Sequence, residues 1–270
     1  MHGLRQVALA LHQYESTHLV FPPGSQVTAF AGSQPYSKSY GWTVGLLPFV
    51  EQAALFSQFD FSLDCQIHHR VLTKQVLAPY ICPSDPNSQS PVEWDSAGQS
   101  DPIWGRYFEG GWGATNYLGV SGTNGLVRTK QPLDCDGFGQ ALHSGIFYGN
   151  SSTRMADIID GTSQTMFVGE RGVTGGWGKW GGAGMVTRCP MGMADVVLPG
   201  VIGGADGEQG GIRAAVGAGT DRHHWWSWHP GGTHFSFADG SVRFVSYSVN
   251  RGIVAALSTR SDSEVVPMDW

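Results

Sequence analysis

Over the first turns of the chain, the apolar residues Leu4, Val7, Ala8 and Leu11 recur at i, i+3, i+4 and i+7. That spacing places them on one face of a helix covering about residues 1–18. Phe21-Pro22-Pro23-Gly24 closes the element, because proline cannot continue a helical hydrogen-bond ladder. A second helix is predicted from Pro48, in its first turn, to about Gln58, with Phe49, Ala53 and Phe56 on one side. A third covers roughly Gln66 to Leu77, ahead of Cys82-Pro83-Ser84-Asp85-Pro86, which forbids continuation.

From Val92 onward the pattern changes to short apolar runs divided by Gly, Asn, Asp and Ser, the texture of strands and loops. The stretch from Gly172 to Gly219 is the richest in glycine and reads as a long surface insertion. The clearest hairpin covers about 233–249, where two alternating runs flank Ala238-Asp239-Gly240-Ser241 and Asp-Gly suits a two-residue type I′ turn. That register puts Phe235, Phe237, Val242 and Phe244 on one buried face, and a slip of one residue would undo it. No fixed-period repeat and no domain linker divides the chain. The expectation is one α+β domain over 1–270, an N-terminal helix packed on a mainly antiparallel sheet with long Gly-rich loops.

Composition sharpens this. Charged residues are 14% of the chain while Gly occurs 39 times, Pro 14 and Trp 10, which favours strands and ordered loops over a helical bundle. A net charge of -6 and the absence of any Lys/Arg run exclude a phosphate-neutralising surface, so nucleic acid is not an expected partner. No run approaches the roughly 20 apolar residues that span a bilayer. Met1 precedes a segment that already reads as mid-helix without a capping residue, so the expectation is a helix that continues ahead of it. Cys65, Cys82, Cys135 and Cys189 are far apart and form no CxxC pair, which argues against a zinc ribbon or a thioredoxin motif. Two disulfides would have three pairings open to them.

The chemistry-bearing motifs are sparse. There is no GxSxG elbow, HExxH pair, Walker loop or dinucleotide fingerprint. His229 precedes Asp239-Gly240 in a His-x9-Asp-Gly arrangement; the imidazole could serve as metal ligand or general base, or simply fix the loop, while Asp239 suits a bond to its own turn backbone. Asp134-Cys135-Asp136-Gly137 resembles the opening of a calcium loop but lacks the later EF-hand ligands. Asp157, Asp160 and Glu170 form another acidic set, with Glu170 expected to pair with Arg171 or a backbone amide. In His223-His224-Trp225-Trp226-Ser227-Trp228-His229 the indoles could stack on sugars or form a lid over the sheet. The neighbours His223 and His224 point to opposite faces of an extended segment and cannot easily share one metal.

The His229-Pro230-Gly231-Gly232 to Ala238-Asp239-Gly240-Ser241 arrangement resembles the prepilin-type processing-associated H-x9-DG domain of the planctomycete-type family of pilin-like proteins, DUF1559. Further blocks are similar to the same family: Leu4 to Tyr14 ahead of Phe21-Pro22-Pro23-Gly24, then Cys82 to Pro86, Asn116-Tyr117-Leu118-Gly119, and Asp160 to Thr165 with Val168-Gly169-Glu170. The resemblance implies a pseudopilin-like head outside the cytoplasm, in the periplasm or at the cell surface. Its expected partners are other pilin-like or secretion-system proteins, and its expected cofactor is calcium, with Asp134, Asp136 and Asp239 as candidate ligands. Members of the family typically begin with a prepilin cleavage site and a long hydrophobic helix, and the expectation is that Met1 falls within that helix, after the cleavage site. Two alternatives stand beside that reading: a calcium-dependent hydrolase of small esters or lactones, with His229 and Asp239 as catalytic pair, and a carbohydrate-binding module built on the Trp cluster.

Overall fold

A computed structural model describes residues 2–27, 39–63, 65–92, 111–123, 144–174, 178–181, 197–198, 200, 211–215, 224–264 and 266–267. Helix α1 (His2–His18) forms where the periodicity predicts it and buries Leu4, Val7, Ala8, Ala10 and Leu11. Each larger aliphatic side chain on that face contributes about 1.5–3 kcal/mol of gross burial free energy. The helix stops before the prolines act on it. Leu19 adopts φ 63° and its N–H donates to the Glu15 carbonyl at 2.6 Å, a left-handed cap that ends the ladder.

A short ribbon, β1 (Ser25–Val27) against β2 (Ser39–Gly41), follows. A short helix that was not predicted, α2 (Trp42–Leu46), comes next, and the helix predicted from Pro48 to about Gln58 is divided into a 3₁₀ turn at Leu47–Val50 and α3 (Ala53–Phe56), because Glu51 takes φ 63°. Likewise the third becomes α4 (Cys65–His68) and α5 (Arg70–Thr73), with His69 at φ -112°, ψ 23° outside the helical region. In both cases apolar periodicity located the segment, and one or two non-helical residues, Glu51 with Gln52 in the first and His69 in the second, decided its continuity.

The central sheet comprises β3 (Tyr117–Val120), β4 (Met166–Glu170), β5 (Val197–Leu198), β6 (Gly232–Phe237) and β7 (Val242–Ser246) in the order β5-β3-β4-β6-β7. All its pairings are antiparallel except β3 with β5. Helix α1 covers one face, meeting Tyr117, Phe167, Val168 and Ala238 in a core that includes Phe21 and Phe147. The other face carries Leu118, Val120, Phe235, Phe237 and Val245 beneath Trp225 and α6 (Arg251–Ser258), whose Val254 and Leu257 are buried. The α+β expectation of an N-terminal helix on a mainly antiparallel sheet holds. No helix among the described residues is long and apolar enough to cross a membrane.

Two irregularities set which side chains share a face. In β4 the register shifts between Met166 and Val168, so Met166 joins the α6 side and Val168 the α1 side. The shift carries Glu170 onto the α1 face with Val168. The second is the turn between β6 and β7, where the two-residue type I′ expectation is corrected. Phe237 N–H donates to the Ser241 carbonyl and Gly240 N–H to the Phe237 carbonyl, both at 2.9 Å, so the loop holds three residues. Of Asp239 and Gly240, only Gly240 takes positive φ, 82°, which is the type I turn plus bulge of three-residue hairpins. The ladder is therefore slipped by one residue from expectation: Phe235 faces Arg243, and Phe244 faces His234. Phe235 and Phe237 are buried as predicted, but Phe244 lies on the opposite face, 48% exposed.

Candidate metal centre

The β4 bulge and the pairings of β3, β4 and β6 build a row of Tyr117, Glu170 and His234, which the slipped register of β7 ends with Phe244. Tyr117 pairs with Glu170 across β3 and β4, and His234 with Phe244 across β6 and β7. Since Gly169 lies opposite Phe235, the two pairs fall in one line across four strands. Glu170, only 3% exposed, has both carboxylate oxygens engaged. His229 Nε2 is 3.2 Å from Oε1, and His234 Nδ1 is 3.1 Å from Oε2. Cys82 Sγ lies 3.6 Å from the same His229 Nε2. The donor atoms of Cys82, Glu170 and His229 all lie within 4.8 Å of one another.

Each member is held from behind. His229 N–H donates to Ser227 Oγ at 3.0 Å, and Ser227 Oγ–H donates to the Gly232 carbonyl at 2.8 Å, which fixes the loop into β6. Its ring stands perpendicular to that of His234, centroids 4.9 Å apart. Cys82 N–H donates to Asn116 Oδ1 at 2.7 Å. Asn116 Nδ2 in turn donates to Asp85 Oδ2 at 2.6 Å and to the Arg171 carbonyl at 3.1 Å. Asp85 Oδ2 also receives Val173 N–H at 2.8 Å, and Oδ1 receives Asn87 N–H at 2.8 Å. The Cys-Pro-Ser-Asp turn, the Asn-Tyr-Leu-Gly strand and the end of β4 are thus tied by one buried network centred on Asp85.

Charge follows from this arrangement. Burial alone would raise the Glu170 carboxyl, but hydrogen bonds from His234 and Cys82, with the nearby His229 and His234 charges, hold it below the ordinary carboxylate value. Burial, reinforced by the Glu170 charge, pushes the Cys82 thiol up to about 11. Burial raises the Tyr117 phenol well above its ordinary value, with Cys82 and Glu170 adding to the effect.

The residues singled out from sequence are distributed differently from the expectation. His229 is in the cluster. Asp239 is not: its Oδ1 accepts from Ser241 N–H at 2.8 Å in the hairpin turn, at the far end of β6. At about 3.3 Å per strand residue, β6 alone sets the two some 17 Å apart, so they do not form one catalytic pair. Asp134, Asp136, Cys135, Cys189 and His223 lie outside the described residues. Asp157 pairs with Arg154 at 2.8 Å, whereas Asp160 accepts from the backbone of Asp262 and Ser263 at 3.0 and 2.8 Å, so the acidic set takes separate partners. The Glu170 carboxylate takes His229 and His234 as partners rather than Arg171, which follows the end of β4. Cys82 is a free thiol, which removes the Cys65–Cys82 pairing. Trp225 and Trp226 are buried, the former edge-on to Phe235 at 5.0 Å, and Trp228 is the half-exposed member of that run.

The family model described as protein of unknown function (DUF1559) matches residues 2–252. The chain belongs to the DUF1559 family. No curated protein and no solved structure matches it. Several of the blocks on which the DUF1559 resemblance rested are brought together by the Asp85 network and the cluster: Cys82 to Asp85, Asn116-Tyr117, Glu170 and His229.

Chemically, the geometry is unlike a nucleophilic triad. Cys82 Sγ and Glu170 Oε1 both converge on His229 Nε2, whereas a triad carboxylate holds the nitrogen remote from the nucleophile. A thiol raised to about 11 is also a poor nucleophile at neutral pH. Sulfur, nitrogen and oxygen donors aimed at one point suit a divalent transition ion, and among the described residues this is the one group of three such donors that converges. Sequence reasoning missed His234. The alternation that buries Phe235 and Phe237 places His234 on the other face, but that signal does not say what it meets there.

Proposed function

We propose that this DUF1559 chain is the extracytoplasmic head of a pilin-like, secretion-associated subunit, acting by contact with other proteins rather than by catalysis. The observation that supports this most is the way α1 lies along the sheet. Leu4, Val7 and Leu11 are sunk into the core, while Leu9, 60% exposed, faces outward where a neighbouring helix can pack. A helix so integrated transmits the position of its N-terminal end rigidly to the head, which is what a helix-assembled subunit requires. Calcium held by the Asp134 to Asp136 loop belongs to the same reading and would raise the melting temperature by mass action.

The test is carried out in the native host with a photo-crosslinking residue at position 9. Expected are recovery in the extracytoplasmic fraction and ultraviolet-dependent crosslinks to another pilin-like subunit. Retention in the cytosol, or an extracytoplasmic chain that never crosslinks, overturns the reading. A melting curve unmoved by a calcium-selective chelator removes the calcium component.

A further inference from the structure

We propose that Cys82 Sγ, Glu170 Oε1 and His229 Nε2 are three ligands of a zinc-class divalent transition-metal ion, with His234 orienting the carboxylate and a fourth position facing solvent. The distances carry this. Around tetrahedral zinc, with a Zn–S bond near 2.3 Å and Zn–N and Zn–O bonds near 2.0–2.2 Å, the S···N edge is roughly 3.5 Å and the N···O edge roughly 3.3 Å. The corresponding separations are 3.6 Å for Cys82 to His229 and 3.2 Å for His229 to Glu170. Two edges of such a face are therefore already in place, and the third, from Cys82 to the Glu170 carboxylate, is no longer than 4.8 Å.

The surroundings complete the argument. Two of the three ligand residues, Cys82 and Glu170, are almost fully buried, so their positions are set by packing. His234 Nδ1 binds the carboxylate oxygen that His229 does not, leaving Glu170 to offer Oε1 as a single donor. That is the usual task of a residue standing behind a metal ligand. The His229 side chain is 25% exposed, so the cluster opens to solvent on that side and a water can take the fourth position. A thiol and an imidazole select against calcium, which takes all-oxygen shells, and favour zinc or its close neighbours. Binding replaces the Cys82 S–H bond by an S–metal bond and releases that proton to solvent.

The experiment uses the full chain, reduced and stripped with a chelator. Calorimetric titration with Zn²⁺ alone is expected to show one equivalent bound, and Co²⁺ alone a thiolate-to-cobalt charge-transfer band in the near ultraviolet. In Cys82→Ser the band disappears. Because Cys82 is buried and its variant can misfold, His229→Ala on the partly exposed loop is the second ligand variant, and circular dichroism verifies both folds. His229→Ala is expected to weaken Zn²⁺ more than His234→Gln, which as a positioning change costs about 10–100-fold. Asp239→Asn at the far end of β6 should bind Zn²⁺ like the unaltered chain. The proposal is overturned by absence of the Co²⁺ band, by wild-type Zn²⁺ affinity in folded His229→Ala, or by thiol titration of the unreduced chain placing Cys82 in a disulfide.

Discussion

Replacing Asp85 by alanine removes the acceptor for three donors at once. Its carboxylate, 1% exposed, receives Asn116 Nδ2 at 2.6 Å and the backbone N–H groups of Val173 and Asn87, each at 2.8 Å. A buried donor left unsatisfied costs about 1–3 kcal/mol. Val173 N–H loses its partner outright, Asn116 keeps the Arg171 carbonyl at 3.1 Å, and Asn87 is partly open to water. The combined loss is therefore about 3–5 kcal/mol, a large share of the 5–15 kcal/mol by which domains are ordinarily stable. Urea unfolding followed by far-ultraviolet circular dichroism should show a lower midpoint at unchanged slope. Because Asn116 Oδ1 also receives Cys82 N–H, the folded remainder should bind Zn²⁺ more weakly. A stability loss under about 1 kcal/mol would refute the reasoning, since it would mean that water reaches these donors and the network is not a buried hub.

The hairpin register predicts an asymmetry between two phenylalanines that the sequence pattern treats alike: Phe235→Ala should cost about 3–5 kcal/mol, whereas Phe244→Ser, at a site 48% exposed, should cost a small fraction of that in the same assay. Equal losses would restore the two-residue turn. His12, on α1 with its ring against Phe21 and Phe167, has its pKa lowered chiefly by burial, with Glu15 and Asp239 partly opposing. The unfolded chain therefore takes up this proton first as pH falls. The stability it contributes is complete above the ordinary histidine pKa of 6.5 and declines below it until the folded pKa is passed. Differential scanning calorimetry should show a shallower fall in melting temperature from pH 7.5 to roughly 5 for His12→Leu than for the unaltered chain; parallel curves would contradict the assignment.

Much of the architecture was legible because it rests on local rules. The i, i+3, i+4, i+7 spacing of Leu4 to Leu11 suffices for α1, and Asp239-Gly240 between alternating runs suffices to locate the β6–β7 turn. Continuity was less legible: Glu51 and His69 interrupt predicted helices through backbone conformations that their residue types do not announce. Turn length was the costliest ambiguity. Whether Asp239 joins Gly240 at positive φ decides between two and three loop residues, and that choice moves every side chain of β7 to the other face. Here the three-residue loop lets Phe235 and Phe237 fill the α6 side with Arg243 laid over the Phe237 ring at 4.3 Å.

For the candidate site, the sequence by itself determined the family and the presence of a histidine at the mouth of the hairpin. It could not determine what His229 meets. Cys82 lies 147 positions away along the chain, and His234 lies 64 from Glu170, so no spacing rule connects them. Only the tertiary structure decided that Glu170 faces the histidines rather than Arg171, through the pairing of β4 with β6 and a one-residue bulge in β4. The physical reason is that a strand's side chains alternate with period two: local pattern fixes which residues share a face, but which face is buried against which neighbour depends on pairings closed across the whole chain.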